Sequence, residues 1–384
     1  MTSRLVAVIA LSLFGCSLAK AQTALNPDIS AVGDFRLFSH NDEARDERKE
    51  EVNLANPELE LNIGGYLNPY ARADVVVAWH GDHNAEIEEL YATILRGLPL
   101  GINLRVGKYL LEFGRLNPVH PHAYSFIQRP LPHEMFFGEE GLADMAVRAG
   151  FLLPMGDAYT ELMAGLLKGD ILTGHKHHQH EEEGEEHEEA DEEDRDLGFF
   201  GRLTSSLAVS ESAELAIGAS VVNAVYAIHE HKDEEEDHGE PRQLRSWLFG
   251  GDIKYKYKPS RYTTVQIEAE GIARMDEQAG DENNLTSYGA YAYIDYLFNQ
   301  KYNIGGVFEW ACKEEAVHHD GAEEHNMQKH DTWRAGLFVG FAPIEETSLV
   351  RLAGHWTESE EGDGFWEATL QLVFSLGPHK PHNF

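Results

Sequence analysis

The feature that most constrains this chain is a regular alternation. From Glu58 onward, segments of about 10 to 14 residues that alternate apolar and polar side chains are separated by interruptions of two sizes, taken in turn. In "LRSWLFGGDIKYKYKP", Trp247, Phe249, Ile253, Tyr255 and Tyr257 share one parity, and Ser246, Asp252, Lys254, Lys256 and Lys258 share the other. Successive side chains of a strand point to opposite faces, so this segment has one apolar and one charged face. "TTVQIEAE" sets Val265, Ile267 and Ala269 against Gln266, Glu268 and Glu270 in the same way. "YGAYAYIDYLF" and "FWEATLQLVFSL" carry aromatic residues near the ends of their apolar faces and smaller or aliphatic residues between. A soluble sandwich also alternates, but its inward face needs no aromatic ends. A lipid-exposed barrel strand does, because rings settle at the two headgroup levels while the lumen side stays wet.

The interruptions agree with this reading. Short ones with turn residues fall at "LNPY", "GLPLG", "PMGD", "SESA", "KPSR", "NQKY" and "PIEE". Long polar ones fall between them, as expected of a bacterial outer-membrane barrel with short periplasmic turns and long outer loops. Counting "ISAVGDFRLF" as the first strand predicts an all-β, antiparallel up-and-down transmembrane barrel of about 16 strands, with 14 as the alternative. The weakest members are the first strand and "EIEELYATILRG", whose parity is poor, and they keep 14 open.

The chain opens on "MTSRLVAVIALSLFGCSLAKAQ", with Arg4, an apolar run and a small-residue site at Ala19-Lys20-Ala21. Residues 1–21 therefore read as a secretory signal, and 22–384 as the barrel. Acylation at Cys16 is the alternative, which the bulky Phe14 disfavours. Without the signal the net charge moves from −35 to −37, since Arg4 and Lys20 leave, and Cys312 is the remaining cysteine. No intramolecular disulfide can then form.

Three long interruptions hold an unusual chemistry. "GHKHHQHEEEGEEHEEADEEDRD" carries His175, His177, His178, His180 and His187. "IHEHKDEEEDHGE" adds His229, His231 and His238, and "VHHDGAEEHNMQKHD" adds His318, His319, His325 and His330. These tracts hold 12 of the 21 histidines, all predicted on one side of the membrane. Carboxylates concentrate cations, and neutral imidazoles select zinc, copper or nickel among them. The spacing defines no particular geometry, and a solvated acidic loop is the competing reading. The interruption from Pro118 to Gly141 differs in kind. It mixes His120, His122, Arg129, His133, Glu139 and Glu140 with Tyr124, Phe126, Phe136 and Phe137. Such a segment is too apolar to be simply solvated, which leaves two placements: folded into the pore, or packed on the rim.

"GKYLLEFGRLNPVHPHAYSFIQRPLPHEMFFGEEGL", together with "NPDISAVGDF", "NIGGYLNPYARADVVVAW" and "SLGPHKPHNF", resembles a family of uncharacterised porin-like outer-membrane proteins, some labelled zinc-regulated or TonB-dependent receptors. The resemblance implies a Gram-negative outer-membrane location and a link to zinc. An energised receptor needs a plug and a 22-stranded barrel, for which the chain is too short, so a porin-like channel is expected.

The resulting expectation is a passive channel for small solutes whose outer loops collect divalent transition metal, zinc foremost. It is not expected to be an enzyme or to need a cofactor. Its partners are outer-membrane lipid and divalent metal ions, and homo-oligomerisation is left open. No basic nucleic-acid patch, nucleotide-binding glycine loop or Ser-His-carboxylate constellation is evident. A non-conducting structural or metal-binding barrel is the first alternative, and an outer-membrane enzyme the second.

Overall fold

The computed structural model describes residues 26–45, 47–81, 84–138, 140–169, 196–229, 242–278, 284–317, 326–344, 347–360 and 362–377. Sixteen strands form one closed barrel: β1 (Asp28–His40), β2 (Glu58–Asn68), β3 (Ala71–His80), β4 (Glu86–Ile94), β5 (Asn103–Leu110), β6 (Ala143–Met155), β7 (Ala158–Leu167), β8 (Gly198–Ser210), β9 (Ala213–His229), β10 (Arg242–Ser260), β11 (Thr263–Asp276), β12 (Leu285–Phe298), β13 (Tyr302–Val317), β14 (Asn326–Ile344), β15 (Ser348–Ser359) and β16 (Gly362–Leu376). A two-residue segment, Asn53–Leu54, adds a short pairing to β1. Neighbours in sequence pair antiparallel, and β16 closes on β1 from Ala31↔Leu376 to His40↔Glu367. Closure satisfies every ladder hydrogen bond without leaving an edge, which a strand in hydrocarbon requires. Among the described residues no helix is long and apolar enough to cross a membrane.

The parity seen in sequence becomes the two faces of the wall. Ile253, Ile267, Ile294, Ile304 and Leu352 point outward and are exposed, whereas Asp252, Glu268, Glu270 and Glu309 are buried on the inside. Aromatic rings gather at both ends of the outer face. Near the short turns Phe298 stacks on Tyr302 at 5.3 Å, and Tyr302 on Phe341 at 5.0 Å. Near the long loops Trp247 stacks on Phe249 at 5.8 Å, and Phe308 on Trp333 at 6.5 Å. These are the two girdles of a membrane barrel.

The weak parity of β4 has a local cause. Val76 pairs with Glu89 but Val77 pairs with Ile87, so Glu88 is an extra residue in a β-bulge. The bulge lets Ile87 and Leu90 both face outward while Glu88 and Glu89, between them, are drawn toward the interior.

Cys312 pairs with Tyr288 on one side and Asp331 on the other, on the outward parity of β13 at its outer end. It is only 7% exposed. A membrane-impermeant maleimide should therefore label Cys312 poorly in intact cells, and label a cysteine introduced at Gly184, in the predicted outer loop, readily. Equally strong labelling of both would contradict this register.

Candidate functional site

Residues 111–142 do not stay on the rim; they fold into the barrel. The neck of this segment is closed by Asn117, which is fully buried. Its Nδ2 donates to the carbonyls of Leu111 at 2.8 Å and Leu142 at 3.0 Å, and its Oδ1 accepts from the Leu142 amide at 2.8 Å. Just before it, Gly114 in "FGRLN" adopts a φ of +59°, and a Cβ there would lie 2.1 Å from Glu270 Oε2. Only glycine lets the backbone pass so close to that carboxylate.

Beyond the neck the segment is tied to the wall on opposite sides. On β9 to β11, the Gly114 amide donates to Ser220 Oγ at 3.1 Å, Arg115 Nε pairs with Asp252 at 2.7 Å, and the Arg115 amide donates to Glu270 at 3.0 Å. His133 Nε2 lies 2.9 Å from Glu270 Oε1, with both side chains fully buried. On the facing side, His120 and His122 meet Glu60 of β2 at 3.1 and 3.4 Å. In a ring of sixteen, β2 and β10 are eight strands apart and so diametrically opposed; the segment crosses the lumen.

A short helix, α1 (Leu131–Phe137), completes the crossing. Pro130 and Pro132 begin it, and Gly138, at φ +79°, ends it. The Leu131 amide donates to Glu309 at 2.6 Å. Arg334 pairs with Glu309 at 2.7 Å, donates to the Arg129 carbonyl at 2.6 Å, and reaches Glu134 at 3.2 Å. Arg351 donates to the carbonyls of Phe126 at 2.6 Å and His122 at 2.7 Å. Two apolar clusters fill the space between. Phe113, Phe136 and Phe137 pack with the inward-facing Phe200, Val222 and Leu248; Leu116, Tyr124 and Phe126 pack with Tyr291, Tyr293 and Phe338.

The segment does not fill every part of the wall. The inward-facing side chains of Arg36, Arg72 and Arg105 retain 23–24% exposure, held by Asp34, Asp74 and Glu112. The segment therefore leaves these three charged pairs of the inner wall partly uncovered.

At the outer mouth the chain builds a compact His-carboxylate cluster. Proline at 121 keeps His120 extended (φ −70°, ψ 144°), and the 3-10 turn Pro121–Ala123 then brings the His120 and His122 rings to 5.9 Å. His120 Nδ1 lies 3.1 Å from Glu60 Oε2 and 3.4 Å from Glu88 Oε2, and its Nε2 lies 3.7 Å from Glu89 Oε2. Burial alone would keep this ring neutral, but Glu60, Glu89 and Glu88 raise its pKa well above the usual histidine value.

Of the residues singled out in sequence, His120, His122 and His133 line this inward segment; Arg129 is buried beside Gly141, and Glu140 is exposed near the neck. Glu139 lies outside the described residues, as do His175, His177, His178, His180, His187, His231, His238, His318, His319 and His325. His229 closes β9 opposite Arg242, and His330 lies on β14 opposite Lys313. The signal read at residues 1–21 is also outside them. Sequence reasoning missed Glu60, Glu88 and Glu89, which share no local motif with His120. It also missed the wall's part in the crossing, although Tyr291, Tyr293 and Phe338 are apolar residues on the otherwise polar parity.

The fold is a closed, sixteen-stranded antiparallel barrel that matches those of porin-like outer-membrane proteins. Among solved structures it is similar to the anion-selective porin from Comamonas acidovorans, with TM-score 0.57 and 7% identity over 91% of this chain and 98% of that one. It is similar to a loop L8 deletion mutant of OmpT from Vibrio cholerae (0.56, 9%, 91% and 98%) and to the outer-membrane channel DcaP of Acinetobacter baumannii (0.51, 12%, 94% and 100%). No family model matches the sequence. An uncharacterised protein of Aquifex aeolicus is 27% identical over 399 residues, spanning 95% of this chain and 81% of that protein.

Proposed function

We propose that this protein is a passive channel for small solutes in the outer membrane of a Gram-negative bacterium, narrowed by residues 111–142. Its outer loops gather divalent transition metal, zinc foremost. The observation that carries the channel reading is the coexistence of a segment tied to opposite walls with inward arginines that remain partly exposed. A lumen lined by Arg36, Arg72 and Arg105 beside their carboxylates offers water and fixed charges of both signs, which suits small polar solutes and gives no strong ion preference. The fold shared with outer-membrane porins and channels supports the same reading. The metal reading rests on the composition of the three histidine-rich outer tracts. The reach of the inward segment favours one alternative, a barrel whose lumen is filled.

Liposome swelling separates the two. Vesicles carrying the purified protein should swell in an isotonic monosaccharide and much more slowly in a tetrasaccharide. The absence of swelling in either would favour the filled barrel.

A further inference from the structure

The cluster at the outer mouth has the donor geometry of a metal site, and it is separate from the outer tracts. In a tetrahedral zinc site with bonds of about 2.0–2.1 Å, neighbouring donor atoms stand about 3.3 Å apart. His120 Nδ1 is 3.1 Å from Glu60 Oε2 and 3.4 Å from Glu88 Oε2, and Glu60 Oε2 is 3.4 Å from His122 Nδ1. One donor atom each from Glu60, Glu88 and His120 lies within 4.8 Å of the other two. The donors come from three places, β2, the bulge in β4 and the proline-held turn of the inward segment, so the grouping is a product of the fold.

The surrounding groups fit the same purpose. Asn62 Nδ2 donates to Glu60 Oε1 at 2.6 Å, leaving Oε2 toward the histidines, and His80 Nε2 lies 3.2 Å from Glu88 Oε1. Partners of this kind orient ligating carboxylates. Among the described residues, the ion pairs to Glu60, Glu88 and Glu89 come from His80, His120 and His122. These three carboxylates concentrate negative charge around the imidazoles, and a metal ion taking the place of the imidazole proton would offset it. Magnesium and calcium favour sites of six or more oxygens, whereas two imidazoles beside carboxylates suit zinc, copper or nickel.

We propose that Glu60, Glu88 and His120 bind one divalent transition-metal ion at the outer mouth of the lumen, with His122 beside Glu60 at the edge of the site. The ion would be taken up where the inward segment meets the wall, one step inside the outer histidine tracts. The inference shares with the function proposed above the class of ion, but neither the outer tracts nor conduction is needed for it.

Zinc titration calorimetry on the full-length protein in detergent tests this, with cobalt absorption in the visible range as a second readout. The three outer tracts are first silenced by replacing His175, His177, His178, His180, His187, His229, His231, His238, His318, His319, His325 and His330 with Asn. One equivalent of zinc should remain, and bound cobalt should show the intense band of a tetrahedral site. Adding His120→Asn should weaken that equivalent at least about tenfold and remove the band. Glu60→Gln should do the same, and both proteins should keep the heat-modifiable mobility of a folded barrel. If the silenced protein binds no zinc, all the binding belongs to the outer tracts and the lumen site is overturned; it is equally overturned if His120→Asn and Glu60→Gln bind zinc as the silenced protein does. The channel reading is decided separately by swelling.

Discussion

Excising residues 118–141 and joining the ends with a short flexible linker should raise single-channel conductance several-fold. Asn117 and Leu142 are already hydrogen-bonded neighbours, with the Leu142 amide 2.8 Å from Asn117 Oδ1, so the excision need not pull β5 and β6 apart. The barrel's closed ladder runs through strand pairs that the segment does not supply, from β1–β16 round to β5–β6. What disappears is the bridge that joins His120 at Glu60 to His133 at Glu270 across the lumen. The inward faces of Phe200, Leu248, Tyr291 and Phe338 would then meet water, a loss of apolar burial that lowers stability without opening the wall. Planar-bilayer recording checks the prediction, and an unchanged conductance would place the conducting path away from this segment.

Arg334→Ala should be the most damaging single substitution in the anchor. Arg334 is 7% exposed, pairs with Glu309 at 2.7 Å and holds the Arg129 carbonyl at 2.6 Å. Removing it leaves Glu309 buried with only the Leu131 amide at 2.6 Å and frees the start of α1. Breaking a buried pair in this one-sided way costs about 3–5 kcal/mol. Arg334→Lys keeps the charge but cannot serve carboxylate and carbonyl together with a planar fork, so it should recover only part of the loss. Adding Glu309→Gln to Arg334→Ala should also recover part, because the buried charge is gone. Urea unfolding of the vesicle-inserted barrel reads all three; a midpoint for Arg334→Ala equal to wild type would show that this pair does not anchor the segment.

Much of the wall could be read from the sequence because its signal is local. Trp247, Phe249, Ile253 and Tyr255 alternate with Asp252 and Lys254 within one strand, and the period of two is enough to sort them into lipid and lumen faces. The bulge at Glu88 broke that period, which is why β4 looked weak: one extra residue reverses the parity of everything after it. The inward placement of residues 111–142 was harder, since its determinants lie far apart in the chain. Arg115 meets Asp252 and Glu270, and His120 meets Glu60 and Glu88, contacts that no spacing rule encodes. A trace did exist. Leu248, Tyr291, Tyr293 and Phe338 are apolar on the face that should be wet, and a pore wall has reason to carry such residues where something apolar packs against it. The outer histidine tracts were legible as chemistry only, because repeated His and Glu name a class of ion without fixing where any ligand stands.

Whether a charged, water-accessible path survives beside the inward segment is read by single-channel recording of the wild-type protein. Purified barrels in a planar bilayer should give discrete, ohmic current steps that are clearly smaller than those of the protein lacking residues 118–141. Silence from the wild type, under conditions where the shortened protein conducts, would show that the segment seals the lumen and that the protein is a closed barrel.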